Sequence, residues 1–455
     1  MSPDTAELAI AEAPAARAPA WEWWSRLCAD PARMAAVRDT WRALWVSRLL
    51  VLLAGSGAVA TLGFGPLRGA FDPPGLTRGF GRLGDLLAAP AARWDSAWYL
   101  TIAHYGYRPE LGAYTSARDA FFPLYPLGLR ALSDLGLQAV LAGVLFSLGA
   151  FAGGLYGVHR LSSLEIARSG RPGGGEVARL AVLLTALAPM AFYFSAVYSE
   201  SLYLALSVGL FWCARQGRWA WAGLLGALAA ATRSTGLVLL LPALMLYLYG
   251  PRADRAPDFA RRLRPRYRLR PSVLWLALLP AGLGLYMAYL GLSGGDALAP
   301  FHAQGIWGRH FAGPYGGVWD GMRAASQGAR QLLSAQRTHV YYPAATGSPF
   351  VAAGHNLMGL AFLLAALPLF VLALRVLPLA YGVYALAALA LPLSYPVPSQ
   401  PLMSLPRFLV VLFPLSMALA VWLAAHPRAR APLLVVSALL MGFFLAQFAT
   451  WHWVA

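Results

Sequence analysis

Asp95 is the only acidic residue in the aromatic block Trp94-Asp95-Ser96-Ala97-Trp98-Tyr99-Leu100-Thr101-Ile102-Ala103-His104-Tyr105-Gly106-Tyr107. The block lies between two apolar regions. A carboxylate there is costly to desolvate, so it needs a partner, water access or a task. Two tasks compete. As a general base it takes a proton from a hydroxyl within hydrogen-bond reach. As a helix N-cap it accepts from the backbone of the turn that Ser96 would start.

Three more charged residues stand in similar company. Glu200 follows Ser195-Ala196-Val197-Tyr198-Ser199 at the start of an apolar run. There it either caps the helix dipole or serves as a second carboxylate that binds substrate. Arg233 sits in Ala231-Thr232-Arg233-Ser234-Thr235-Gly236. A fixed guanidinium stabilises negative charge bidentately, but an ion pair with Glu200 or Asp95 explains it equally. Arg407, in Ser404-Leu405-Pro406-Arg407-Phe408, begins another apolar run. A cation there opposes the helix dipole and calls for an anionic partner, unless it snorkels to the interface.

These residues need a scaffold, and composition says which kind. Of 455 residues, 59% are hydrophobic and 12% charged, about half the charged share of a soluble domain. Mean hydropathy is +0.56. The expectation is an all-α polytopic integral membrane protein. Net charge is +17, but the arginines fall in short links between apolar spans, so nucleic acid is not an expected partner. All 36 basic residues are arginine. That excludes a lysine-bearing phosphate loop and a lysine Schiff base. Two cysteines, Cys28 and Cys213, give no disulfide framework.

Windows of about 20 apolar residues place spans near 45–65, 138–158, 178–194, 198–214, 219–232, 235–250, 272–291, 355–374, 376–395, 407–425 and 431–450. This gives about 11 transmembrane helices. Residues 1–44 form a separate N-terminal region: an Ala/Pro-rich disordered tail to about residue 20, then an interfacial helix. Residues 45–455 form the transmembrane domain. No cleavable signal peptide is visible. The arginine run from Arg252 to Arg270, with Arg215, Arg218, Arg375, Arg428 and Arg430, marks the cytoplasmic side and puts the N-terminus there. Two large loops, 66–137 and 292–354, then face the extracytoplasmic side, with the turn at 195–199 and the segment 396–406. The polar motifs collect on that face.

The motifs also carry a resemblance. Trp-Asp-Ser-Ala-Trp-Tyr at 94–99, Phe-Phe-Pro-Leu-Tyr-Pro at 121–126, Ser-Ala-Val-Tyr-Ser-Glu-Ser-Leu at 195–202, Thr-Arg-Ser-Thr-Gly at 232–236, the block from Gly295-Asp296 to Ala303-Gln304 and Trp307, and Arg407-Phe408 recur in this order. Together they resemble the PIG-V-type mannosyltransferases, the family of GPI mannosyltransferase 2 and its bacterial relatives. The likeness covers about residues 94–420; Pro300 departs from it. The resemblance implies a membrane glycosyltransferase of GT-C-like fold that takes mannose from a polyprenyl phosphate, with inversion. Asp95 would be the base. Arg233, Arg407, Tyr198 and Glu200 would bind the donor and its phosphate. Trp94, Trp98, Tyr99, His302, Gln304 and Trp307 would bind sugar or acceptor. A satisfied structural histidine is the commoner reading of His302, and the 121–126 block reads as an architectural turn rather than chemistry.

No His/Asp/Glu spacing makes a metal site, so neither a divalent metal nor another cofactor is expected. Arginine-only usage with abundant Ala, Gly and Pro suggests a GC-rich bacterial genome and a plasma (inner) membrane location. GPI anchors are not expected there, which leaves a glycolipid, a glycan or a protein as acceptor. Oligomeric state has no sequence signal. A lipid or solute transporter is the alternative, although no internal repeat supports it.

Overall fold

The computed structural model describes residues 30–65, 75–107, 115–170, 173–252, 264–341 and 347–454. The expected N-terminal tail, Cys28, and Arg255, Arg261 and Arg262 of the arginine run lie outside these residues.

Among the described residues the fold is built from helices joined by turns, with one isolated bridge at Val397 and Gln400. In chain order the principal helices are α1 (Pro31–Leu62), α2 (Gly81–Leu87), α3 (Ser96–Tyr105), α4 (Leu124–Asp134), α5 (Ala139–Arg168), α6 (Gly174–Ala186), α7 (Glu200–Arg215) and α8 (Trp219–Ala230). Then come α9 (Leu240–Leu248), α10 (Leu278–Gly294), α11 (Gly313–Ser334), α12 (Pro349–Val376), α13 (Leu379–Leu393), α14 (Leu405–Val410), α15 (Phe413–Ala425) and α16 (Pro427–Ala449). Each expected span has a helix at its place. Five helical segments are long and apolar enough to cross a membrane: Pro31–Leu62, Ala139–Arg168, Pro271–Ser293, Pro349–Val376 and Pro427–Ala449. Their outward faces stay apolar, as with Leu53 on α1, Leu285 on α10 and Leu439 on α16. Such a surface is what lipid covers. The chain is a multi-pass membrane protein.

Several boundaries differ from those read in the sequence: α6 ends at Ala186 rather than near 194, α9 starts at Leu240, and the expected span 407–425 is split into α14 and α15. α1 starts at Pro31, where the Asp30 carboxylate accepts from the Ala32 and Arg33 amides, and it runs unbroken through residue 44. α5 continues to Arg168, ten residues past the expected end of its span. Polar His159 and Arg160 close the apolar window there. The helix persists because Glu165, one turn from its end, is buried against partners on other helices.

Helix packing fixes the site. α5 packs on α6 and α7, α8 on α7 and α10, α15 on α6 and α12, and α16 on α1. The α8–α10 crossing is close because its contact residues are glycines. A Cβ at Gly282 would lie 1.9 Å from the Ala227 carbonyl oxygen, and one at Gly223 would lie 2.0 Å from that of Trp275, in the 3-10 segment Pro271–Ala277 that leads into α10. Small residues let two backbones meet in this way.

Candidate active site

Segments far apart in sequence converge on one cavity of about 390 Å³: the start of α3, the Phe121-Phe122 turn, the link from α8 to α9, the stretch 300–309, the end of α13 with Tyr395, 403–408 at the start of α14, and Trp453. Small-molecule sites span roughly 300–1,000 Å³.

Asp95 precedes α3 but does not cap it; its side chain makes no hydrogen bond to the first turn. Instead its Oδ2 accepts from Arg407 Nη1 at 2.6 Å. The amide of Asp95 donates to the Tyr198 hydroxyl, which in turn donates to the Arg93 carbonyl, both at 3.0 Å. Backbone strain helps aim the pair. Trp94, just before Asp95, has φ 54°, and Ser404, three residues before Arg407, has φ 66°. Non-glycine residues rarely hold such angles unless the surroundings enforce them. Trp94 is enforced by edge contacts with Trp451 and Trp453 and by its indole N–H on the His452 carbonyl.

Arg407 is itself buried, so it is not a snorkelling residue. Its guanidinium lies over the Tyr198 ring at 5.2 Å, and its Nε is 2.9 Å from Glu200 Oε1. Glu200 is fully buried, and its Oε1 also accepts from Arg233 Nη1 at 2.6 Å. The result is a chain of four alternating charges, Asp95–Arg407–Glu200–Arg233. It is incomplete as a hydrogen-bond network. Glu200 Oε2 and Arg407 Nε are buried and have no hydrogen-bond partner among the described residues. Orphan polar atoms of this kind are rare and need a reason.

Arg233 reaches the cavity because the chain doubles back on α8 after it. A Cβ at Gly236 would sit 2.3 Å from the Ala229 backbone, so only glycine permits the fold-back. Phe121 and Phe122 wall the cavity, whereas Tyr125 is buried beside them with its hydroxyl on Ser147. Burial pushes the Tyr99 phenol up to about 12, and its hydroxyl bonds Ser199 at 2.9 Å.

Of the residues expected at the site, Trp94, Asp95, Trp98, Tyr99, Arg233, Gln304, Trp307 and Arg407 line the cavity. Tyr198 and Glu200 stand behind it, holding the amide of Asp95 and the two arginines. His302 is not brought in. It is exposed, and its Nδ1 is 2.8 Å from Asp296 Oδ2, a bond that holds the Asp296 carboxyl below its ordinary range. Among the charged lining residues, Arg309 was not expected. The motif around it ends on Trp307, so only its position two residues later on the same loop hinted at it.

Comparisons with known proteins point to a family. The rat GPI alpha-1,6-mannosyltransferase 2 is 34% identical over 183 residues, which cover 37% of this chain and 34% of the relative. The enzyme of the same name from Cricetulus griseus is 32% identical over 240 residues, covering 48% and 45%. The chain thus spans less than half the length of these relatives. Residues 82–248, the stretch that carries Asp95, Tyr198, Glu200 and Arg233, match the family model described as mannosyltransferase (PIG-V), the family that the motifs resemble.

Proposed function

We propose that this protein is a membrane mannosyltransferase that moves mannose from a polyprenyl phosphate to an acceptor hydroxyl at the extracytoplasmic face. One observation carries the reading: a carboxylate and three arginines share the wall of a largely apolar, aromatic-rich cavity of sugar-accommodating size. The relatives' names and the family match support the sugar.

The chemistry follows from the groups present. The acceptor oxygen attacks the anomeric carbon while the bond from that carbon to the phosphate oxygen breaks. The electron pair leaves with the phosphate, which changes from a monoanionic diester to a monoester with a second negative charge. The acceptor proton passes to Asp95. A single displacement inverts the anomeric centre. Guanidinium groups offset the charge that grows on the leaving phosphate. Trp94, Trp98, Tyr99 and Trp307 provide ring faces for the sugar, and Gln304 an amide. No cofactor is invoked; the lipid-linked sugar is a co-substrate, and a glycolipid, glycan or protein supplies the acceptor hydroxyl. In a bacterial plasma membrane this assigns the site to the outer face and the N-terminus to the cytoplasm, with a GT-C-like arrangement of about 11 spans. Cysteines placed at 252–270 should then be labelled only from the cytoplasm and those at 310–340 only from outside. The opposite pattern would invert the orientation.

The test is transfer of radiolabelled mannose from synthetic polyprenyl-phosphate mannose into membrane extracts by the purified protein. Label in a new product is the expected result. Donor or lipid moved across vesicles without any transfer would favour a transporter instead.

A further inference from the structure

Three arginines line the cavity, and the donor brings one phosphate. We propose that Arg309 is the residue that grips this phosphate, while Arg233 and Arg407 are held by the carboxylates. The inference rests on the reading of the cavity as a polyprenyl-phosphate-sugar site, and deepens it.

Charge decides between the three. Arg407 bonds Asp95 and lies against Glu200, and Arg233 bonds Glu200. These four groups cancel. Arg309 has no carboxylate partner among the described residues. Its Nη1 donates to the neutral carbonyl of Tyr395 at 3.0 Å. That contact anchors the guanidinium to the turn after α13, whose Leu391, Pro392 and Tyr395 line the same cavity. Nε and Nη2 make no hydrogen bond among the described residues, and they form the edge of a guanidinium that carries two parallel N–H groups. This is the fork that matches two phosphate oxygens.

The placement of the side chain is also specific. Gly308 turns the chain at φ +66° after the 3-10 segment Ala303–Trp307, so Arg309 follows Trp307 along the cavity wall. Desolvation first, and then repulsion by Arg407, push the Arg309 guanidinium down to about 10, with Asp95 opposing the change. It therefore remains charged at neutral pH, within the field of both Arg407 and Asp95. With Asp95, Glu200, Arg233, Arg407 and Arg309 counted, the site carries one excess positive charge. A phosphodiester monoanion neutralises it, and the second charge that appears on departure falls on a group already gripped by the fork. A phosphate on Arg233 or Arg407 would share a guanidinium whose charge a carboxylate already offsets.

The experiment separates this proposal from the transferase reading by measuring binding of sugar-free polyprenyl phosphate, with the protein in lipid nanodiscs, alongside mannose transfer. Arg309→Gln should weaken polyprenyl-phosphate binding about tenfold to a hundredfold, as expected for a lost charge-assisted fork. The KM for the donor should rise by a similar factor, with kcat and acceptor KM moving less. Arg309→Lys keeps the charge but not the fork and should fall between Gln and wild type. It carries the test if the Gln variant does not fold. Unchanged polyprenyl-phosphate affinity in the variants would overturn the assignment while leaving wild-type transfer intact. So would a wild type that does not bind polyprenyl phosphate at all. Arg309-dependent binding in a protein that transfers no mannose would uphold Arg309 and sink the transferase reading.

Discussion

One helix, α7, carries a buried ion-pair cluster at each end, about 24 Å apart at 1.5 Å per residue over its 16 residues. At its C-terminus Arg215 meets Glu165, and every group is satisfied. The Arg215 guanidinium donates to both carboxylate oxygens and to the Pro251 carbonyl, and the Tyr381 hydroxyl donates to Glu165 Oε1 at 2.7 Å. At its N-terminus Glu200 is just as buried but left with an orphan oxygen, and its partners Arg233 and Arg407 lie in the wall of a cavity. The first cluster is closed and ties α5, α7 and α13 together. The second is open, strained on both flanks and unfinished. Burial of charge is common to both, so burial alone does not mark a site. Incomplete satisfaction beside a cavity does.

The contrast can be broken at either end. The largest effect on stability belongs to the closed cluster. Arg215→Ala would leave Glu165 buried and unpaired, which costs about 3–5 kcal/mol. Unfolding in detergent should show that loss, while transfer per folded molecule stays near wild type. A large fall in turnover with intact stability would put Arg215 in the catalytic apparatus and erase the distinction.

The open end should respond in the other currency. Glu200→Gln keeps the shape but removes the charge that holds Arg233 and Arg407. Charge-assisted hydrogen bonds contribute about 1.5–3 kcal/mol each, so transfer should drop by about one to two powers of ten, less than for the loss of Asp95. Equal activity in the Gln variant would reduce Glu200 to a favourable charge at a helix start.

The smallest effect sharpens the border of the open site. Asp119 lies outside the spanning segments, half-buried, near the Phe121 wall. Burial, then Asp296, push its carboxyl up to about 6, with Arg118 pulling the other way. A raised folded-state value means that the folded protein holds this proton more tightly than the unfolded chain. Stability is therefore lost as pH rises from about 4 to 6, and the penalty is full above that. Discounted for solvent reaching a half-exposed group, it is about 1 kcal/mol. Asp119→Asn should raise the melting temperature by a few degrees at pH 7.5 and not at pH 4. A gain of the same size at both values would assign the effect to packing.

Much of this was legible in the sequence. Apolar windows located the helices because lipid forces long apolar runs. The motifs placed Asp95, Arg233 and Arg407 on one face, and the fold links them into one charge chain through Glu200. The closed cluster was not legible. Glu165 lies beyond the expected end of its span, and its burial depends on Arg215 and Tyr381 arriving from other helices. His302 was misleading for the opposite reason: a histidine inside a motif satisfies itself locally, with Asp296 six residues away. Arg309 escaped notice because its role comes from what it lacks, a carboxylate partner, and that is visible only when the other two arginines are seen to be engaged. The capping reading of Asp95 was reasonable from sequence. It fails because Arg407, 312 residues away, outcompetes the first turn of α3 for the carboxylate.

The central claim is that the Asp95 carboxylate takes the acceptor's proton. Asp95→Asn preserves size but cannot accept it. Transfer of mannose from polyprenyl-phosphate mannose should be measured for the purified variant together with its donor affinity. The account predicts a rate lower by about 10²–10⁴ with donor binding changed only a few-fold. Turnover near wild type would contradict it and move the search for the base to Glu200 and Asp296.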